Sequence, residues 1–79
     1  IMAKAYLKIM VDARNEERVL EDILGIAGVT GADLTTGEQD IIAVVEAETF
    51  DDIVQIVLGQ VRRVPGISRT ITNLAITYR

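Results

Sequence analysis

A short phrase occurs twice in this chain of 79 residues. Ile26-Ala27-Gly28-Val29 is echoed by Val64-Pro65-Gly66-Ile67, 38 positions later. Each copy follows an amphipathic stretch and precedes a strand-like one, and its glycine supplies the reversal that ends a helix. The echo divides the chain into two similar halves, each strand–helix–strand, and few folds accept that plan twice in so short a length.

The elements follow in order. Residues 3–11 alternate, with Ala5, Leu7, Ile9 and Val11 on one side and Lys4, Tyr6, Lys8 and Met10 on the other. Asp12 to Asn15 break the pattern. Asn15 is the expected N-cap, with Glu16 and Glu17 in the first turn, where the helix dipole favours negative charge. Val19, Leu20, Ile23, Leu24 and Ala27 then recur at three- and four-residue steps, so a helix is expected to end near Gly28. Arg18 and Asp22 form an i,i+4 pair on its outer side, worth a few tenths of a kcal/mol. Val29 to Thr36 reads as the second strand.

Gly37-Glu38-Gln39-Asp40 links it to the most apolar run, Ile41 to Val45, and the two strands read as a hairpin. The third strand is expected over Asp40 to Glu48. Thr49, with Asp52 three residues on, resembles a capping box. Phe50, Ile53, Val54, Val57, Leu58 and Val61 make the apolar stripe of a second helix, which Pro65 and Gly66 end. Ile67 to Tyr78 is the expected last strand.

The sum is an α+β, ferredoxin-like βαββαβ sandwich: a four-stranded antiparallel sheet with both right-handed crossover helices on one face. The other face presents Tyr6, Lys8 and Met10 with some of Ile42, Val44, Leu74 and Ile76. That surface is too apolar for water, so dimerisation through the sheet is expected. Composition points the same way, because 49% hydrophobic residues exceed what one domain of residues 1–79 can hide. Ile1 ahead of Met2 reads as a foreign leader residue, with Met2 the natural start and no signal peptide behind it. A cytoplasmic location is the default.

A net charge of −4 opposes direct nucleic-acid binding, and no polybasic segment or long apolar run addresses a membrane. Cys and His are absent, and Ser68 has no base nearby in sequence, so nucleophilic catalysis is not expected. Asp33, Asp40, Glu46 and Glu48 could serve as acid or base, but a solvated strand end explains Glu46 and Glu48 better. No Asp/Glu spacing suits a metal, no glycine cluster cradles phosphate, and no cofactor is expected.

Three features suit a small ligand instead. The Gly37-x-x-Asp40 turn offers backbone N–H groups and a carboxylate, although Asp40 could serve only the hairpin. Thr70 and Thr72 share one face of the last strand, and their hydroxyls both donate and accept. The Val64-Pro65-Gly66-Ile67 backbone could approach a ligand closely.

The Gly37-x-x-Asp40 turn together with Val64-Pro65-Gly66-Ile67-x-x-Thr70-x-Thr72 resembles the C-terminal ligand-binding (RAM) domain of the Lrp/AsnC transcriptional regulators, over about Ala3 to Tyr78. The resemblance implies a regulatory, non-enzymatic module that dimerises through its sheets, assembles into an octamer or decamer, and binds free amino acids between dimers. It places Gly37, Gln39 and Asp40 by the effector pocket, with Thr70 and Thr72. The α-carboxylate would meet backbone N–H and threonine hydroxyl, and the ammonium Asp40 or carbonyl oxygens. No helix-turn-helix is visible, so the stand-alone form is expected, acting as a sensor or by co-assembly with full-length regulators. Two rivals share the strand plan. A cofactor-free enzyme of the dimeric α+β barrel type normally uses His, Trp or several polar cavity groups, and the first two are missing. An ACT-like regulatory domain normally has a glycine-rich first turn, and Asp12-Ala13-Arg14-Asn15 has none.

Overall fold

A computed structural model describes residues 2–76. Its elements are β1 (Ala3–Val11), α1 (Glu16–Leu24), β2 (Val29–Leu34), β3 (Ile41–Ala47), α2 (Phe50–Gly59), the short 3₁₀ turn Val61–Arg63, and β4 (Ile67–Leu74). The four strands form one antiparallel sheet in the order β2-β3-β1-β4, the expected βαββαβ arrangement. β1 and β3 occupy the centre: β1 alternates, and β3 holds the most apolar run of the chain. Ala5, Leu7 and Ile9 of β1 and Ile41, Ala43 and Val45 of β3 are fully buried. They meet Val19 and Ile23 of α1 and Ile53, Val57 and Val61 from the second half. No polar or charged side chain is buried among the described residues, so the core between sheet and helices is apolar.

The repeated phrase folds the same way twice. Val29 N donates to Ile26 O at 3.1 Å, and Ile67 N to Val64 O at 3.4 Å. Gly28 and Gly66 have φ of 99° and 98°, a backbone region in which a side chain is strained. Each glycine carbonyl then accepts from the opposite half, Gly28 O from Glu46 N and Gly66 O from Asp12 N, both at 2.8 Å. The reversals thus pin each helix exit to a central strand or its end.

Several expected boundaries move. α1 stops at Leu24 with Gly25 as its cap, and the next turn already uses residues 26–29, so Ala27 lies outside the helix and exposed. Asn15 stands at the N-cap position, but its side chain makes no capping bond. Its φ of −105° and ψ of 3° are not the extended backbone a cap requires, because Asn15 N is turned back to Asp12 O behind the left-handed Arg14. Thr49 does cap α2, accepting from Asp52 N at 3.1 Å. β2 ends at Leu34, which lengthens the link, and β4 ends at Leu74; the expected continuation through Thr77 and Tyr78 lies outside the described residues. Leu74 pairs with Ala5 and so shares the helix-covered side, whereas Ile71 pairs with Lys8 on the open face.

That open face carries Tyr6, Met10, Ile42, Val44 and Ile71 among Lys4, Lys8 and Asn73. No helix covers it. No described helix is long and apolar enough to cross a membrane.

Candidate functional site

α2 crosses the inner strands β1 and β3 and leaves β4, an edge strand, only partly roofed. On α2, Val54 and Leu58 stand one turn apart on the side facing that gap, and both are nearly half exposed. The register sets the opposite wall. Thr70 pairs with Ile9 and Thr72 with Leu7, so both threonines lie on the helix-covered side of the sheet. Between them runs a groove of about 430 Å³, with Val57 at its base and Arg62 and Arg69 also lining it. The sequence marked both threonines. Arg62 escaped notice, although it continues the four-residue spacing of Val54 and Leu58.

The edge adds main-chain groups. Ala75 N donates to Lys4 O at 2.8 Å. Bonded pairs in an antiparallel ladder alternate, which makes Asn73 and Ile71 the residues bonded to β1. Thr70 and Thr72 therefore turn their N–H and C=O groups outward, along the mouth of the groove. Ser68 falls in the irregularity of the β1–β4 ladder, and its hydroxyl donates to Met10 O at 3.2 Å.

The hairpin residues lie elsewhere. Thr35 N donates to Asp40 O at 2.9 Å, and the Thr35 hydroxyl to Gln39 O at 2.8 Å, closing a loop over residues 35–40. Gly37, at φ 128°, forms its exposed tip. Among the described residues, no acceptor within the chain takes the N–H groups of Gly37, Glu38 or Gln39. Asp40 is anchored at both ends: its N–H donates to Ile9 O at 3.0 Å, and its Oδ2 accepts from Val11 N at 2.7 Å. One carboxylate oxygen thus serves the fold.

Ile9 pairs with Ile41 on one side and Thr70 on the other, so hairpin and threonines stand at one level of the sheet with β1 between them, roughly 10 Å for two strand spacings. The groove brings Thr70 and Thr72 together, and none of Gly37, Gln39 or Asp40 lines it. At the opposite end of the sheet Glu46 stands directly across from Lys4, in a hollow that Glu48 and Phe50 also border. No group of three or more His, Cys, Asp or Glu among the described residues could hold a metal ion.

Comparison with known proteins gives one consistent answer. Residues 4–77 match the family model described as the Lrp/AsnC ligand binding domain. The crystal structure of FFRP-DM1 superposes with a TM-score of 0.88 at 32% identity, over 94% of this chain and 99% of that one. A hypothetical protein from Pyrococcus horikoshii gives 0.88 and 32%, over 96% of this chain and 92% of its own. A transcriptional regulator from Neisseria meningitidis, solved as a complex with L-Met, shares the fold at a TM-score of 0.83 and 13% identity; this chain spans 50% of its length. No curated protein matches the sequence.

Proposed function

The chain belongs to the Lrp/AsnC ligand-binding domain family, and from that premise we infer that it is a one-domain, oligomeric, non-enzymatic regulatory module with a free amino acid as its effector. The family match across residues 4–77 carries this reading. The L-Met complex of the Neisseria meningitidis regulator supports an amino acid as the ligand class.

Chemistry on this chain is compatible with a zwitterion held between copies. Tyr6, Met10, Ile42, Val44 and Ile71 form the face that a second sheet would cover. Further assembly of such dimers into an octamer or decamer would bring the hairpin of one dimer against the groove of another. Thr70 and Thr72 hydroxyls and the free N–H groups around Gly37 and Gln39 then offer donors to an α-carboxylate. The second oxygen of Asp40, with its first held by Val11, is left for the ammonium. Binding there would favour one assembly over another, in this protein alone or together with full-length Lrp/AsnC regulators in the cytoplasm. Against catalysis stands the core between the inner strands and the helices, where the described residues bury no polar or charged side chain.

Calorimetric titration with each of the twenty amino acids, run beside sedimentation velocity, tests the proposal. The expected result is saturable binding of at least one amino acid to an assembly larger than a dimer. An intact assembly that ignores all twenty would leave only a scaffolding role.

A further inference from the structure

We propose that the groove between α2 and β4 binds a small aliphatic carboxylate that lacks an ammonium group, with branched 2-oxo acids the best-fitting class. It shares Thr70 and Thr72 with the amino-acid reading above, but it rests on the lining of this groove alone, whether or not copies assemble.

The sign of the lining decides the class. In a chain of net charge −4, the charged side chain on this groove is that of Arg62, and no carboxylate lines it. Arg69 also borders the groove but pairs with Met10, which puts its side chain on the open face. A ligand carboxylate finds a guanidinium at Arg62, the hydroxyls of Thr70 and Thr72, and their outward N–H groups on the free strand edge. A 2-oxo oxygen is a further acceptor and suits the same donors. An ammonium finds no side chain of opposite charge. It would have only outward carbonyls to meet, beside a guanidinium that repels it, so desolvating it goes uncompensated.

Shape fixes the remainder of the ligand. Val54 and Leu58 are 40% and 48% exposed, and they form one wall. A branched hydrocarbon tail laid there would remove apolar surface from water. The volume of about 430 Å³ is within the range of small-ligand pockets. The C-terminal end of α2 opposes an anion through its dipole, and Arg62, just past that end, offsets it.

The test is calorimetry on the whole chain with 4-methyl-2-oxopentanoate, leucine and isopentylamine, which share the branched tail and differ in charge. The oxo acid should bind at least tenfold more tightly than leucine, with the amine silent. Arg62→Ala should weaken the oxo acid by about tenfold, while Arg63→Ala, next door but outside the groove, leaves it unchanged. Amide chemical-shift changes should centre on residues 54–58 and 68–72. Leucine binding as tightly as the oxo acid, or indifference to Arg62→Ala, would overturn the inference. Leucine binding with the oxo acid silent overturns it too, yet leaves the amino-acid reading standing. The oxo acid binding while all twenty amino acids stay silent supports it and removes that reading.

Discussion

The carboxylate of Asp40 holds the backbone N–H of Val11, 29 residues away, at 2.7 Å. This N–H faces the β3 side, where pairing ends at Ile9 and Ile41, so it depends on a side chain for its partner. Asp40→Ala should destabilise the fold by about 1–3 kcal/mol, the cost of orphaning a partly buried donor. Asp40→Asn, which keeps an oxygen, should cost less. Urea unfolding midpoints would show this, and an unchanged midpoint for the alanine variant would mean the contact contributes nothing.

The paired glycine reversals make a second expectation. Gly66→Ala places a methyl 2.7 Å from the Arg18 guanidinium at φ +98°, and Gly28→Ala places one 2.6 Å from the Ile56 methyl at φ +99°. Each should cost at least about 1 kcal/mol from backbone strain alone. Gly31→Ala meets nothing within 4 Å in an extended strand and should be neutral or stabilise by about 0.5 kcal/mol. Thermal melts of the three variants give the ranking directly.

Arg18 should matter more than its ion pair. Its guanidinium donates to Asp22 at 2.8 Å and also to the carbonyl of Pro65, joining α1 to the second reversal. Asp22→Ala should change stability by only a few tenths of a kcal/mol, as exposed helix pairs do. Arg18→Ala, which also frees the Pro65 carbonyl, should cost about 1 kcal/mol. Equal effects would reduce Arg18 to a surface charge.

Self-association should fail when the open sheet face is charged. Val44→Lys or Ile71→Lys places an ammonium where a second sheet would pack. The expected outcome is a smaller species by sedimentation with an unaltered circular dichroism spectrum. An assembly indifferent to both substitutions would point to a different contact surface.

Sequence pattern made the strands and helices legible, because β1 alternates, β3 is a continuous apolar run after a turn, and α1 and α2 repeat every three or four residues. The Gly28 and Gly66 reversals were visible as a repeated phrase. Contacts between distant residues were not. Nothing local announces that Asp40 serves Val11, or that Arg18 reaches Pro65. The side of the sheet that Thr70 and Thr72 take depends on their pairing with Ile9 and Leu7, and the same register places Leu74 with Ala5 on the helix side. Arg62 could have been found, four residues beyond Leu58. A charged residue there interrupts the apolar stripe that carries the helical spacing.

The strand order has a last consequence. β1 belongs to the first half yet bonds only to β3 and β4 of the second, while β2 returns to β3 alone. The halves are laced together like crossed fingers. A protease that nicked the exposed tip at Gly37 would produce two peptides still knitted along three ladders, a severed chain that keeps its form until denaturant lets the pieces slide apart.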